Sequence, residues 1–326
     1  QLDQVKKHGV REVVLALGYQ ASHFQRHLGD GRRWGMRFIY SLEKEPLGTG
    51  GAIRKALPFL KGTTFILNGD VLSDVDLTAL LSFHRRNKAD GTLALMAVKD
   101  PSSYGLIETE ESGKIKKFVE KPSAEEMNVN TINAGFYVFE ENVVRQIPAN
   151  QPVSIERDVF PKLVKNGFSL YGFPHRGYWS DIGTLKSYWD THMDLMQDFS
   201  GSPDKSIKKL QKGIWGGTKC RLDTPLKLEG TLLMGHRCRL GPNVTVRGCV
   251  SLGDGCTIAE NVILTDCVVL EKTHVGVNAT LENCIVGENC HIGSFCHVGP
   301  GTVLANRSTL EPYTKQISGL SREPHA

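Results

Sequence analysis

Three charged residues and one glycine-rich segment could together handle a phosphate and a divalent cation. Asp70 follows an apolar run and Asp181 lies in a turn beside aromatic residues, and a carboxylate in either place can hold a hard cation such as Mg²⁺. Lys121 follows a predicted strand, where its point charge suits a phosphate. The segment Glu45–Ala52 has three glycines and a threonine before a predicted helix, which can leave backbone N–H groups open to an anion. The set predicts phosphoryl chemistry, although each member alone is equally typical of a helix cap, a turn or a solvated surface.

Alternating strands and helices are predicted across residues 1–199, and they would bring these residues to one edge of a sheet. The predicted strands are Glu12–Leu17, Phe38–Ser41, Thr64–Leu67, Thr92–Val98, Leu106–Thr109, Ile115–Glu120 and Ile132–Phe139. The predicted helices are Ala21–Leu28, Gly50–Leu60 and Leu77–Asn87. This alternation is typical of an α/β fold with a parallel sheet and right-handed crossovers. Ligands bind beyond the carboxyl ends of strands in such folds, so residues that follow strands are the candidates.

A second pattern begins at residue 222, where an aliphatic residue returns every six positions. The repeating positions are Leu222, Leu228, Met234, Leu240, Val246, Leu252, Ile258, Leu264 and Leu270, then, after one-residue slips, Val275, Leu281, Val286, Ile292, Val298 and Leu304. A period of six fits neither an α-helix nor a hairpin sheet, but it is typical of a parallel β-helix in which each unit forms one face. Fifteen such units, at three per turn, predict about five coils.

All eight cysteines lie in the last third of the chain. Half of them come four residues after an aliphatic position of the repeat, where a side chain points inward into little space: Cys238, Cys256, Cys290 and Cys296. No C-x-x-C pair is present, and a disulfide framework is typical of small secreted domains. We therefore expect these cysteines to act as small core residues, with metal binding or redox chemistry as the alternative.

Length, charge and hydropathy exclude several classes of protein. The chain has 326 residues and a net charge of +4, which is too small to imply nucleic-acid binding. No apolar run approaches the roughly 18 residues needed to span a bilayer, and no secretory signal is evident, so we expect a cytoplasmic protein. A polar, turn-rich stretch near residue 200 predicts a first domain over 1–199, a linker over 200–221, a β-helix over 222–310 and a tail over 311–326.

The order of the motifs resembles that of the sugar-1-phosphate nucleotidyltransferases over residues 10–192. The matching segments are Pro46–Ala52, Asn68–Asp70, Tyr104–Gly105, Glu120–Pro122, Asn133–Gly135, Ser154–Pro161 and Trp179–Thr184. Several members of that family also carry a C-terminal left-handed β-helix, so the resemblance covers nearly the whole chain. It implies a Rossmann-like mixed sheet followed by a left-handed parallel β-helix of hexapeptide repeats.

The resemblance implies a role for each matching residue. Asp70 and Asp181 would hold the Mg²⁺ that bridges the phosphates, and Lys121 would bind the phosphate of the incoming sugar 1-phosphate. Contacts with the nucleotide are implied for Pro46, Leu47, Gly48, Thr49, Gly51, Asn68 and Gly69. Contacts with the sugar phosphate are implied for Gly105, Glu120, Lys121, Asn133 and Gly135. Lys121, Asp70 and Asp181 would thus be the catalytic residues.

The implied activity is nucleotidyl transfer from a nucleoside triphosphate to a sugar 1-phosphate, releasing pyrophosphate. The motifs are most similar to those of the mannose-1-phosphate guanylyltransferases, which implies GTP binding and GDP-mannose synthesis. Glucose-1-phosphate and heptose-1-phosphate nucleotidyltransferases are the alternatives within the family. A homo-oligomer formed through the β-helix is also expected, because the end coils of a solenoid need cover.

One element of the family pattern is absent from the sequence. The family begins with a strand and a glycine-rich loop that contains an arginine, and this loop cradles the triphosphate. Here the chain starts in the following helix, and Gly29–Arg33 is predicted to be a turn because it follows a helix and precedes a strand. We therefore expect an N-terminally truncated domain that turns over poorly, and full activity of residues 1–326 alone would contradict this expectation.

Two other classes of function remain open on the sequence. Hexapeptide β-helices also occur in acyltransferases, which use a histidine base, and four histidines lie in this region: His236, His274, His291 and His297. Such enzymes usually need a long loop that leaves the coil, and the one-residue slips leave no room for one. The second alternative is a catalytically silent regulatory or binding subunit, which the missing loop favours.

Overall fold

The computed structural model describes residues 1–101, 104–119, 129–197, 199–201 and 204–317. The chain divides into two compact units, Gln1–Asp181 and Ile182–Ala326. None of the helices within these described ranges is long and apolar enough to cross a membrane.

The first unit contains ten strands and six α-helices among its described residues. The strands are β1 (Glu12–Leu17), β2 (Arg37–Leu42), β3 (Thr64–Leu67), β4 (Val71–Ser73), β5 (Gly91–Ala97), β6 (Leu106–Thr109), β7 (Ile115–Val119), β8 (Thr131–Phe139), β9 (Leu170–His175) and β10 (Trp179–Asp181). The helices are α1 (Leu2–Lys7), α2 (Ala21–Leu28), α3 (Gly48–Ala56), α4 (Leu77–Arg86), α5 (Glu141–Gln146) and α6 (Phe160–Lys165), with one π-helical turn at Ile155–Val159. Each predicted strand and helix is present, with small shifts at its ends.

The main sheet of this unit is mixed, as the family resemblance implies. Its strand order is β7-β6-β8-β5-β9, and β3 also pairs with β8. Strand β8 runs antiparallel to β3, β5 and β6, whereas β9 runs parallel to β5. Two smaller sheets, parallel β1–β2 and antiparallel β4–β10, share no ladder with the main sheet in the described part of the chain.

Strand β8 forms the centre of the core because both of its faces are buried. Phe136 and Val138 belong to one apolar cluster, and Tyr137 and Phe139 belong to another. Successive side chains of a strand point to opposite faces, so a run of buried residues here means that the sheet is covered on both sides. The strand is thus a rigid support for the residues at its beginning.

The second unit begins with helix α7 (Leu185–Gln197) and continues as a parallel β-solenoid. Its strands are β11 (Lys208–Gln211), β12 (Ile214–Gly216), β13 (Arg221–Leu222), β14 (Leu226–Met234), β15 (Arg239–Leu240), β16 (Val244–Leu252), β17 (Thr257–Ile258), β18 (Ile263–Val269), β19 (His274–Val275), β20 (Thr280–Glu282), β21 (Ile285–Val286), β22 (His291–Ile292), β23 (His297–Val298), β24 (Val303–Leu304), β25 (Thr309–Leu310) and β26 (Lys315–Gln316). The six-residue period therefore predicts this fold correctly.

The register of the solenoid reproduces the slips in the sequence. Most coils take 18 residues, so that Leu226 pairs with Val244. The coils that contain a slip take 17 residues, so that Thr257 pairs with His274. Each slip therefore shortens one coil by a residue and leaves the aliphatic positions stacked in the core.

The structure places both ends of the solenoid beyond the predicted range of 222–310. Strand β12 lies inside the predicted linker and pairs with β14 of the solenoid. Strand β26 lies inside the predicted tail and pairs with β23. The boundary between the units falls after Asp181 rather than after residue 199. The reason is α7, whose Trp189 donates its indole N–H to the Asp266 carbonyl at 2.9 Å and packs against Val268 of β18.

Six of the eight cysteines are buried, and the structure shows a second reason for their use. Cys238, Cys256, Cys267, Cys284, Cys290 and Cys296 are all buried. Several thiols donate to a carbonyl of the next coil: Cys238 to Gly253 at 3.1 Å, Cys256 to Leu270 at 3.1 Å, and Cys290 to Ala305 at 3.2 Å. Thr273 occupies the same place and donates to Gly287 at 2.8 Å. Small inward side chains that also donate a hydrogen bond satisfy carbonyls that would otherwise be unpaired in the core.

The buried thiols should make the solenoid sensitive to alkaline pH. Burial raises the pKa of the Cys238 thiol to about 12 and that of Cys256 to about 11, whereas an unfolded thiol ionises near about 8.5. Because the folded pKa values are raised, the stability from the neutral thiols is complete below about pH 8.5 and is lost as the pH rises toward 11 and 12. Circular-dichroism melts should therefore show a steeper fall in melting temperature above about pH 8.5 than melts of the Cys238→Ser, Cys256→Ser double variant. Parallel slopes for the two proteins would contradict this role of the thiols.

Candidate active site

The small β4–β10 sheet brings together the two aspartates that the sequence predicts as metal ligands. Strand β3 ends at Leu67, and Asp70 lies in the turn that leads into β4. Strand β10 pairs antiparallel with β4 so that Asp181 stands opposite Val71, the residue after Asp70. The side chain of Asp70 is exposed and that of Asp181 is half-buried. The two carboxylates therefore lie at the same end of this sheet, although more than a hundred residues separate them in the sequence.

A bulge at the beginning of β8 lies beside the Asp70 turn. Leu93 of β5 pairs with Tyr137 of β8, and Leu95 pairs with Asn133. Between these two pairs β8 therefore has more residues than β5, which makes a β-bulge. The side chain of Asn133 holds the bulge, since its Oδ1 accepts from the Gly135 N–H at 3.0 Å and its Nδ2 donates to the Tyr137 hydroxyl at 2.7 Å.

Gly135 joins the bulge to the turn that follows β3. The N–H of Asn68 donates to the Gly135 carbonyl at 2.8 Å. Gly135 has a φ of +74°, and a Cβ there would lie 3.0 Å from the Nδ2 atom of Asn68. Glycine is required because both the left-handed backbone and the close approach disfavour a side chain. Asn68, Asn133 and Gly135, which the sequence assigns to two different substrates, thus belong to one hydrogen-bonded cluster.

The pKa of the buried Tyr137 hydroxyl depends on the charged groups around the bulge. Burial raises the pKa of Tyr137 far above its usual value, and the carboxylates of Glu156 and Asp70 raise it further, while the hydrogen bond with Asn133 lowers it. Tyr137 is therefore a neutral phenol near neutral pH. Two carboxylates on different elements, Glu156 and Asp70, both act on this position.

Aromatic side chains form the opposite wall of the bulge. Trp179 donates its indole N–H to the Ala134 carbonyl at 2.9 Å, and the ring of Tyr104 meets the Trp179 ring edge-on at 5.6 Å. Burial raises the pKa of Tyr104, and the charge of Asp181 adds to this effect. Gly105 follows Tyr104 directly, so the structure brings Gly105 to the same wall.

The glycine-rich segment before α3 does not present all of its backbone N–H groups to a ligand. Gly50 and Gly51 are buried, and their N–H groups donate to the Val153 carbonyl at 2.9 and 3.3 Å. The prediction of open N–H groups is therefore wrong at these two positions. Gly48 has a φ of +68°, and a Cβ there would lie 2.7 Å from the Val153 oxygen, so close packing explains this glycine. Gly48 and Thr49 are exposed, and nucleotide contacts by Pro46, Leu47, Gly48, Thr49, Gly51, Asn68 and Gly69 stay predictions.

Glu156 is a site residue that the sequence reasoning missed. Its Oε2 atom accepts hydrogen bonds from the hydroxyls of Thr49 and Ser154, each at 3.1 Å. The hydroxyl of Thr49 in turn accepts from the Ile155 N–H at 2.9 Å. The segment Ser154–Pro161 was part of the family resemblance, but nothing in its spacing shows that it meets a threonine more than a hundred residues earlier.

Two predicted residues lie outside the described residues, namely Glu120 and Lys121. Within the described ranges, no group of three or more His, Cys, Asp or Glu side chains could hold a metal ion. The predicted metal ligands Asp70 and Asp181 are two carboxylates. That number suits Mg²⁺, which usually takes one or two protein carboxylates and completes its shell with phosphate and water oxygens.

The solenoid histidines have packing roles. The rings of His274 and His291 stack at 5.0 Å on consecutive coils, and burial lowers the pKa of His274, with the charge of His291 adding to the effect. His236 accepts from the Thr218 N–H at 2.9 Å. Nothing in these contacts favours acyl transfer.

The chain thus consists of an α/β unit, in which two aspartates lie at one end of a small sheet, and a unit that forms a parallel β-solenoid. A family model described as nucleotidyl transferase matches residues 1–198, and one described as GMPPB C-terminal domain matches residues 225–315. The chain belongs to the nucleotidyl transferase family, and its second unit is similar to that C-terminal domain.

Curated relatives agree with this assignment, and a solved structure shares the fold. The mannose-1-phosphate guanylyltransferase of Mycobacterium tuberculosis is 40% identical over 204 residues, which are 62% of this chain and 56% of that protein. The UTP–glucose-1-phosphate uridylyltransferase of Synechocystis sp. is 33% identical over 224 residues, 64% of this chain and 56% of that protein. The crystal structure of HddC from Yersinia pseudotuberculosis shares the fold, with a TM-score of 0.51 and 24% identity over 58% of this chain and 80% of its own. The chain spans about half the length of the curated relatives it matches.

Proposed function

We propose that this protein transfers a nucleotidyl group from a nucleoside triphosphate to a sugar 1-phosphate. An oxygen of the sugar phosphate attacks the α-phosphorus and forms a new P–O bond, while the bond to the leaving pyrophosphate breaks. Such a reaction needs positioning and charge neutralisation and no covalent enzyme intermediate. The observation that carries the proposal is the pairing of Asp181 with Val71, the residue after Asp70, so that both aspartates lie at one end of the β4–β10 sheet.

The aspartates supply the part of the site that suits a cation. Asp70 and Asp181 would hold Mg²⁺, and the chemistry supplied by such an ion is neutralisation of phosphate charge. Lys121 would bind the phosphate of the sugar, as the family resemblance implies. These roles, and the binding of Mg²⁺ itself, are proposals.

The remaining residues of the site hold it in shape. The bulge of β8 is fixed by Asn133 on one side and by the indole of Trp179 on the other. Asn133 and Gly105 would contact the sugar, as the family resemblance implies, and Thr49 links the nucleotide segment to Glu156. A site with its polar groups already held by hydrogen bonds loses little entropy when a substrate binds.

The specific substrates that we propose are GTP and mannose 1-phosphate, giving GDP-mannose. The name of the mycobacterial relative supports this choice, and so does the match of the second unit to the GMPPB C-terminal domain. The uridylyltransferase relative is the reason to test UTP with glucose 1-phosphate as the second candidate. A cytoplasmic location and a homo-oligomer through the solenoid stay predictions.

A substrate panel tests the proposal. Pyrophosphate release would be measured with GTP, UTP, dTTP and ATP against mannose, glucose and heptose 1-phosphates in the presence of Mg²⁺. The panel would use the 326-residue chain and the same chain extended by a strand and a glycine-rich, arginine-containing loop at its N-terminus. We expect GTP with mannose 1-phosphate to give a kcat/KM at least about tenfold above the next pair. A preference for UTP with glucose 1-phosphate would reject the guanylyl assignment, and no release with any pair would reject the transferase.

A further inference from the structure

The β4–β10 sheet is fastened at the end away from the aspartates by a cluster of polar groups. We call this cluster the Tyr178 clasp, and it consists of Ser73, Asp74, His175, Gly177 and Tyr178. The Tyr178 carbonyl accepts from the Ser73 hydroxyl at 2.8 Å and from the Asp74 N–H at 3.2 Å. The Nε2 atom of His175 lies 3.2 Å from the same carbonyl and 3.0 Å from Oδ1 of Asp74.

His175 ties the clasp to the main sheet. It is the last residue of β9, where it pairs with Met96 of β5. Its side chain is only 8% exposed, whereas that of Asp74 is 64% exposed. The imidazole of His175 is therefore held in place by the surrounding protein, and the exposed carboxylate of Asp74 binds to it.

Gly177 is the residue that leaves room for the clasp. A Cβ at this position would lie 2.1 Å from Oδ1 of Asp74 and 2.7 Å from Cε1 of His175. Its backbone is not in the left-handed region, so a side chain is excluded by the neighbouring atoms and not by the conformation. A side chain at position 177 would therefore push Asp74 and His175 apart.

The ladder that the clasp fastens is short. Only three residue pairs join β4 to β10: Trp179 with Ser73, Ser180 with Leu72, and Asp181 with Val71. A slip of one residue in such a ladder turns every side chain to the opposite face. Three pairs alone specify the register weakly, so contacts outside the ladder help to hold it: the bond from Trp179 to the Ala134 carbonyl on one side of β10 and the Tyr178 clasp before it.

We propose that the Tyr178 clasp sets the register of β10 on β4 and thereby positions Asp181 against Asp70. Its members are positioning residues, since they lie at the far end of the ladder from the aspartates. The inference rests on the proposed function in that the two aspartates are taken as the cation ligands. It adds that cation affinity depends on Gly177 and Asp74, which carry no ligand atom themselves.

The first experiment compares Gly177→Ala with Gly18→Ala in the full chain. Gly18 is a matched control, because its backbone is not left-handed and a Cβ there would meet only Glu43 at 3.8 Å. Amide hydrogen exchange should become at least about tenfold faster at residues 71–73 and 179–181 in Gly177→Ala, and unchanged along β5 and β9. Binding of Mn²⁺, followed by its electron paramagnetic resonance signal, should weaken at least about fivefold in Gly177→Ala and stay unchanged in Gly18→Ala.

A second variant removes the carboxylate with which the added methyl group would clash. Asp74→Ala should also weaken Mn²⁺ binding, because it deletes the partner of His175. In the Asp74→Ala, Gly177→Ala double variant, the loss should be clearly smaller than the product of the two single losses, since the methyl group then has space. A merely structural cluster would lower the melting temperature in all three variants without this non-additive pattern in Mn²⁺ affinity.

The outcomes separate failure of this inference from failure of the proposed function. Unchanged exchange at 71–73 and 179–181 in Gly177→Ala, or unchanged Mn²⁺ affinity in both single variants, would overturn the clasp. Asp70→Asn and Asp181→Asn are measured beside them. If these two changes leave Mn²⁺ binding intact, the proposed cation site is wrong, and faster exchange in Gly177→Ala would then show a clasp that holds the strands without serving a metal.

Discussion

Replacing Asp70 or Asp181 with asparagine should reduce pyrophosphate release about 10³-fold. A bound cation contributes several kcal/mol of charge stabilisation in phosphoryl transfer, and each 1.4 kcal/mol corresponds to about a tenfold change in rate. Asparagine has the size of aspartate but no charge, so the loss reports the carboxylate and not its volume. The side chain of Asp70 is exposed, so the free energy of unfolding of Asp70→Asn should stay within about 0.5 kcal/mol of the wild-type value.

The measurement uses whichever form of the chain turns over in the substrate panel. Asp3→Asn is the control, since it changes an exposed aspartate of the same unit in α1. We expect the control to retain the rate and the apparent Mg²⁺ requirement of the wild type. A rate within tenfold of the wild type in either Asp70→Asn or Asp181→Asn would remove that residue from the proposed metal site.

Replacing Gly135 with alanine should affect both stability and turnover. The left-handed backbone alone costs an alanine about 1–2 kcal/mol, and the added Cβ would also lie 3.0 Å from the Asn68 amide. We therefore expect a loss of about 2–3 kcal/mol in the free energy of unfolding. Displacing Asn68 and the bulge should also lower kcat/KM about 100-fold, because small misplacements in a site of this kind are costly.

Gly167→Ala is a control that separates the two causes of the stability loss in Gly135→Ala, namely the left-handed backbone and the contact with Asn68. Gly167 has a φ of +80°, and a Cβ there would meet nothing within 4 Å. Urea unfolding of this control should show the backbone cost alone, with kcat/KM unchanged. Equal stability losses for the two variants would show that the contact with Asn68 tolerates a methyl group, and an unchanged kcat/KM in Gly135→Ala would show that the bulge does not position the substrate.

Much of the fold could be predicted because its signals are local. The six-residue period identifies the solenoid, including the coils that lose one residue, because each coil repeats the same inward positions. The alternation of strands and helices identifies the first unit for the same reason. The sequence does not show that β8 runs antiparallel to its neighbours, since the direction of a strand depends on its connection and not on its composition.

The candidate site was predicted in part. The motif order selects Asp70, Asp181 and Asn133; the structure puts the two aspartates at one end of the β4–β10 sheet and bonds Asn133 to Gly135 within β8, and their roles stay predictions. The glycines at 50 and 51 were assigned to anion binding, yet their N–H groups bind the Val153 carbonyl. A glycine that is needed for packing and one that is needed for a ligand look the same in a sequence.

The sequence by itself determined the class of each unit, the residue types available for phosphoryl chemistry and the packing role of the cysteines. These follow from periodicity and composition, which act within one coil or one strand–helix unit. Only the tertiary structure decided that Glu156 meets Thr49, that α7 packs on the solenoid and that His175 fastens the sheet of the two aspartates. Each of these contacts joins residues that are far apart in the chain, and a hydrogen bond or steric limit between such residues leaves no periodic trace in the sequence.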